Sequence, residues 1–225
     1  MQLHLDTPAQ DIYTYDSKER FCMPNVAVAD NSPDFIPEWM KARKGFCWND
    51  YAKWGEDVRV EMLDGLVYMM GSPDEWHQWV VFDLGRQLAN FLEGKPCTPY
   101  IAPFDVRLFP KEDGSDNTVF QPDVFVVCDK DKVFGKKYCN GAPDFVIEVM
   151  SDSSRGIDLE DKKIWYSKAG VKEYWVVSTD RLHVYRPGVN GYNETVSEMS
   201  DLSEMPVEVL PGCVLRFDDM KKRYA

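Results

Sequence analysis

From about residue 58 onward the chain is built of short runs in which apolar and polar residues alternate, separated by Gly, Pro and Asp-rich breaks. Val58-Arg-Val-Glu-Met-Leu63 alternates, Asp64-Gly65 supplies a two-residue turn, and Leu66-Val-Tyr-Met-Met70 returns. This predicts a β-hairpin from Val58 to Met70. The period then changes. After Ser72-Pro73-Asp74-Glu75, apolar residues recur at helical spacing through Trp76, Trp79, Val80, Leu84, Leu88 and Leu92, with Asp83 on the same stripe. Gly94 and Pro96 end that helix. Ile101 to Phe109 reads as a strand and Lys111 to Thr118 as a polar loop. Val119 to Cys128 reads as a strand with Pro122 near its start, and Asp129 to Tyr138 as a charged loop. Asp144-Phe-Val-Ile-Glu-Val149 is nearly all apolar, the pattern of a central strand.

Beyond the polar stretch Ser151 to Arg155, Asp158 is placed to cap a helix that stops at Gly170, a left-handed C′ position. Strands follow over Lys172 to Ser178 and Leu182 to Arg186, and the remainder holds short strand candidates. A strand, a helix and a strand in succession predict a βαβ crossover within a mixed sheet. The fold class is therefore α/β with an α+β character: a mixed central sheet flanked by helices, with added C-terminal strands. The first part of the chain is different. Residues 1–38 are polar and interrupted by Pro8, Pro24, Pro33 and Pro37, with one extended candidate at Asn25 to Ala29. They read as an arm or added strand, leaving 39–225 as a single domain. Pro37 to Arg43 suggests a short helix, and Asn49 to Trp54 another with Asn49 or Asp50 near its cap.

Composition narrows the partners. The formal net charge of −12 argues against a protein that coats DNA by neutralising phosphates, and against a basic membrane-surface protein. It leaves room for an enzyme that holds a metal with carboxylates. No apolar stretch approaches the ~20 residues of a membrane span, and Met1 to Ala9 lacks the basic-then-apolar pattern of a secretory signal. Six scattered cysteines with no C-x-x-C pair point to reduced thiols and a cytoplasmic setting, and make a structural zinc site a poor reading. Phosphate-binding glycine loops, H-E-x-x-H and G-x-S-x-G are all missing. The three histidines are too far apart in sequence for spacing to argue a triad.

A carboxylate constellation remains. In an extended Phe145 to Val149, Phe145, Ile147 and Val149 share one face and Val146 and Glu148 the other. Glu148 thus breaks an apolar pattern in a central strand, where a carboxylate is costly unless paired or bound to a cation. A structural salt bridge is one reading. The other recruits Asp123, from Gln121-Pro-Asp123 on the neighbouring strand, and Lys162, which shares a helix face with Leu159 and Tyr166. Two carboxylates and a lysine describe a magnesium site with an adjacent cation.

At this point the chain resembles the Uma2 family, endonucleases of the restriction-endonuclease-like PD-(D/E)XK superfamily. The residues that carry the resemblance run from about Cys47 to Asp218. They include Trp48-Asn-Asp-Tyr51, Val60-Glu-Met-Leu-Asp-Gly65, Met70-Gly-Ser-Pro73 with His77, Gln121-Pro-Asp123, Gly141-Ala-Pro-Asp144-Phe-Val-Ile-Glu148-Val149 and Leu210-Pro-Gly212. The most specific stretch is Asp158-x-x-x-Lys162-x-x-x-Tyr166-x-x-x-Gly170-Val171-x-Glu173-Tyr174-Trp175. The resemblance implies Asp123, Glu148 and the Val149 carbonyl as Mg²⁺ (or Mn²⁺) ligands and Lys162 as the catalytic lysine, moved from strand to helix. The superfamily's usual lysine slot holds Met150. Glu61 fits the upstream acidic position, against a plain strand salt bridge. His77 matches a family histidine, against a capping or packing role. Trp165 with Tyr166, and Trp76 with Trp79, read as core aromatics before base-stacking platforms; Asp144 reads as fixing a strand entrance.

Three functions remain in competition. The first is a metal-dependent endonuclease acting on DNA. The second is an inactive nucleic-acid- or protein-binding module on the same fold, which the acidic balance favours. The third is a hydrolase of smaller phosphate esters. A homodimer is a symmetry expectation for cutting two strands. Between Lys130 and Lys172, nine Lys and Arg stand against seven Asp and Glu, a local balance of +2 around Glu148 and Lys162.

Overall fold

The computed structural model describes residues 45–54, 58–150 and 157–224. The expected arm, its strand at Asn25 to Ala29, the helix at Pro37 to Arg43 and the loop Ser151 to Arg155 lie outside the described residues. The elements, in order, are α1 (Trp48–Tyr51), β1 (Val60–Leu63), β2 (Leu66–Met69), α2 (Glu75–Leu92), β3 (Thr98–Ile101), β4 (Asp105–Arg107), β5 (Val119–Phe120) and β6 (Val124–Val127). A 3-10 turn (Lys130–Lys132), β7 (Tyr138–Asn140), β8 (Phe145–Val149), a π-helical segment (Ile157–Lys162) and α3 (Lys163–Ala169) follow. Then come β9 (Glu173–Val177), β10 (Arg181–Gly188), β11 (Gly191–Glu198), β12 (Glu204–Val207), β13 (Cys213–Arg216) and α4 (Asp218–Tyr224).

The fold is α+β, with mixed sheets flanked by helices. Sheet one has the order β2-β1-β5-β4-β7, sheet two the order β11-β10-β9-β8-β6-β3, and β12 and β13 form a separate ribbon. The hairpin turns where Asp64 and Gly65 both take positive φ, the conformation a two-residue turn demands. β8 and β9 pair in parallel across the π segment and α3, which is the expected crossover. Gly170 ends α3 in the left-handed conformation.

Alternation sorts side chains into separate cores. On sheet two, Val124, Val126, Phe145, Ile147, Trp175 and Val177 face one cluster with α2, β13 and α4. Their neighbours Phe125, Val127, Val146, Tyr174 and Val176 face another, shared with Leu63, Val106 and Phe120 of sheet one. A third cluster of Tyr51, Val60, Met62 and Val119 covers the other side of sheet one.

Four expectations are corrected. Val119 to Cys128 is two strands, β5 and β6, in different sheets. Pro122 has no N–H to donate, so the ladder breaks there and the chain crosses between sheets. Ile101 to Phe109 likewise splits at Pro103, with a cis Ala102–Pro103 bond. Helix starts move too. Asp158 lies within the π segment rather than ahead of it, and Lys162 stands at the start of α3. Cys47 precedes α1, with Asp50 as its capping-box carboxylate. Finally, the cysteines are not all thiols. Cys97 and Cys128 form a disulfide. Thr98 pairs with Val127, so the next residues outward on β3 and β6 face each other. Cys47, Cys139 and Cys213 are free. Cysteine usage therefore no longer argues for a reducing compartment. Among the described residues no helix is long and apolar enough to cross a membrane.

Candidate active site

β6 and β8 run antiparallel with Val124 opposite Ile147, which sets Asp123 opposite Glu148 one step further along. Both side chains share parity with Phe125 and Val146, so they emerge on the face turned to sheet one. The main chain locks them together. The Asp123 N–H donates to Glu148 Oε2 at 3.3 Å, and the Val149 N–H donates to Asp123 Oδ2 at 2.8 Å.

Lys162 and Tyr166 are one helical turn apart and point to that same face. Lys162 Nζ lies 3.0 Å from Glu148 Oε1 and 2.9 Å from Glu61 Oε2. Tyr166 OH donates to the same Glu148 Oε1 at 2.8 Å and is fully buried. Glu61 arrives from sheet one, because Val60 and Met62 take the third cluster and leave Glu61 with Leu63 on the opposite side. His77 comes from the first turn of α2. Its N–H donates to the Asp74 cap, and its Nε2 stands 3.2 Å from Asp123 Oδ2. The five predicted side chains Glu61, His77, Asp123, Glu148 and Lys162 therefore converge, and Val149 sits among them. Met150 is a core residue.

Glu61, Glu148 and Lys162 are nearly sealed, at 7%, 3% and 4% exposure, and the rim toward solvent is formed by Asp123 and His77. Among the described residues, Glu61, Asp123 and Glu148 gather around Lys162 and His77.

A supporting network lies behind Glu61. The Gln121 N–H donates to Glu61 Oε1 at 2.8 Å, and its side-chain amide donates to Asp105 Oδ1 at 2.8 Å. Tyr51 OH lies 2.8 Å from the same Asp105 oxygen. Burial raises the Asp105 carboxyl above its ordinary range, hydrogen bonds from Gln121 and Tyr51 oppose this, and the charge of Glu61 adds to it. Burial, and then the charge of Glu148, hold the Tyr166 hydroxyl well above the usual tyrosine range, so it stays a donor.

Tyr166, Gln121, Asp105 and Tyr51 were not among the predicted site residues. For Tyr166 the signal was present, four residues after Lys162 on one helix face. Tyr51 and Gln121 stand in stretches that carry the family resemblance, but their meeting with Asp105 depends on how β4 and β5 lie side by side. Trp165 packs edge-on to Phe109, and Trp76 and Trp79 are half-buried against the core cluster that includes α2. Asp144 does fix a strand entrance, accepting from the Cys128 N–H and from Lys172.

Residues 48–218 match a family model described as "Uma2: Putative restriction endonuclease". The chain belongs to the Uma2 family. As a Uma2 chain it also matches a solved structure described as a "putative nuclease" from Anabaena variabilis ATCC 29413. The TM-score is 0.65 at 16% identity, over 79% of this chain and 98% of that one. This likeness shows a shared fold. No curated protein matches the chain.

Nucleases of the restriction-endonuclease-like kind generally use divalent metals. Among the described residues no three His, Cys, Asp or Glu side chains gather closely enough to hold a metal by themselves. Asp123 and Glu148 face each other across the β6–β8 pair, and Asp123 Oδ1 takes no hydrogen bond among the described residues. Hard oxygen donors of this kind, completed by a backbone carbonyl and water, suit Mg²⁺ or Mn²⁺.

Proposed function

We propose that this Uma2 protein is a metal-dependent nuclease hydrolysing phosphodiester bonds, with DNA as its first substrate. The observation that carries this reading is the placement of Lys162 Nζ on Glu148 while Asp123 docks by its own N–H on the other oxygen of that carboxylate.

Asp123, Glu148 and the Val149 carbonyl are the residues that would hold the ion. When bound, it supplies charge stabilisation to the phosphate and acidifies water. Lys162 stands beside the ligands, where its amino group can orient the attacking water and stabilise the phosphoryl oxygens. Glu61 also holds that amino group, at 2.9 Å. His77 holds Asp123 at the rim, where the substrate arrives. The water oxygen bonds to phosphorus as its proton passes to solvent, the ester P–O bond breaks, and the departing oxygen takes a proton from solvent. Two copies, each serving one strand, would cut a duplex.

The test is cleavage of duplex DNA, single-stranded DNA, RNA and nucleotides in Mg²⁺ or Mn²⁺, with chelator as control. Polymer cleavage is expected only with metal, reduced about 100-fold or more in Asp123→Asn and Glu148→Gln. A folded protein that cleaves nothing under any of these conditions refutes the reading. Near-complete burial and mutual pairing of Lys162 and Glu148 favour a second reading, an inactive binding module. Calorimetric titration with Mn²⁺ separates them, since the module needs no metal.

A further inference from the structure

The β6–β7 loop, Asp129 to Tyr138, lies outside the catalytic cluster. It holds four of the chain's lysines against two aspartates, in a protein whose formal net charge is −12. The loop is built, not slack. Asp129 caps the 3-10 turn by accepting from the Asp131 N–H. The N–H groups of Val133 and Phe134 donate to the Lys130 carbonyl, and Lys136 N–H to the Val133 carbonyl. Val133 is buried in the core shared by the two sheets. Lys132 donates to the Ala142 carbonyl and Lys136 to that of Asp131.

This anchored turn presents Phe134 at 82% exposure, with exposed Lys136 and Lys137 just past Gly135. Lys137 makes no ion pair among the described residues. A large ring held out in water on a rigid turn is pre-organised for a contact, since little conformational freedom is left to lose on binding.

The loop ends where the site begins. Tyr138 pairs with Asp105, and Asp105 is bonded to Gln121, whose N–H holds Glu61. Tyr138, Asp105, Gln121 and Glu61 thus make a row across the same end of sheet one. From β7 to β1 is three strand spacings, about 14 Å, or roughly four nucleotide steps along one strand.

We propose that Phe134, Lys136 and Lys137 form a nucleic-acid contact, in which the ring stacks on an unpaired base and the ammonium groups meet the adjoining phosphates. The ligand is the substrate of the nuclease reading above, on which this proposal rests. A protein partner fits less well, because burying one exposed ring beside two exposed lysines would desolvate those charges without pairing them, whereas a single strand offers a π face and phosphates side by side.

The experiment measures binding in chelator, where cleavage plays no part. Fluorescence anisotropy of a short labelled single strand, and of the matching duplex, is followed from roughly 50 to 200 mM salt. The full chain is compared with Phe134→Ala and with Lys136→Gln/Lys137→Gln, after thermal unfolding shows each variant folded. Phe134→Ala is expected to weaken single-strand binding about tenfold. The double lysine variant is expected to lower the log–log salt slope by about 1.4. Variants that bind like the original chain, or an original chain that binds neither probe, overturn the proposal. The nuclease reading is judged separately by cleavage: loop-dependent binding without cleavage supports this contact and removes that reading. Cleavage with loop-independent binding does the reverse.

Discussion

At the scale of residues, the site turns on a single oxygen. Glu148 Oε1 takes both the Lys162 ammonium and the Tyr166 hydroxyl, which leaves Oε2 turned to Asp123. Tyr166 acts through Glu148 and is a positioning residue. Tyr166→Phe keeps the ring packing against Phe120 and Tyr174 but removes the bond. Loss of such an outer partner is expected to cost about 10- to 100-fold in Mn²⁺ affinity, read by calorimetry. Unchanged affinity would reduce Tyr166 to packing. Asp105 makes a pH prediction. Its folded carboxyl titrates above the ordinary 3.8, so the folded state holds the proton more tightly than the unfolded one. That contribution is full below the unfolded value and is lost as pH rises through the folded one. Asp105→Asn keeps an acceptor for Gln121 and Tyr51 but does not ionise. Its stability relative to the original chain should therefore rise with pH across that window, in urea unfolding at stepped pH. A relative stability that falls would reverse the assignment.

At the scale of elements, breaks matter as much as strands. Pro122 ends β5 and lets the chain pass to sheet two, so Gln121 serves Glu61 in one sheet while Asp123 opens β6 in the other. The π segment has a similar effect, delivering Lys162 and Tyr166 to the site at its junction with α3. Single-turn π geometry is frequent where a side chain must be re-aimed. The hairpin, α2 and the β8–β9 crossover were legible because each is a local period with local stop signals. The split of Val119 to Cys128 was partly signalled by Pro122, but which sheet each half joins was not. The same pairing brings Cys97 to Cys128 across a separation of 31 residues. Closing a loop of that size is worth about 3–4 kcal/mol in the chain-entropy account. Reduction, or Cys97→Ser with Cys128→Ser, should lower the chemical unfolding midpoint accordingly. Coincident curves with and without reductant would show that the bond adds nothing.

At the scale of the whole molecule, two mixed sheets share one core, and the site is sunk where that core meets their common end. Buried there, Glu61, Glu148 and Lys162 are screened far less by salt than the surface charges are. The net charge of −12 thus describes mostly the exterior and says little about the chemistry inside. It does bear on encounter. An acidic surface repels phosphates at long range, so a local basic element such as the Asp129 to Tyr138 loop gains importance for binding.

The sequence by itself determined the family, the hairpin and crossover, and the odd polar residues in apolar frames, Glu148 above all. These are readable because backbone periodicity assigns each side chain to a face without reference to distant chain. Only the tertiary structure decided that Glu61 crosses from the other sheet to share Lys162, that His77 reaches Asp123 from a helix on the opposite side, and that Tyr166 bonds Glu148. Strand pairing and helix packing bring residues of large sequence separation within hydrogen-bond reach, and no local pattern records which elements will be neighbours.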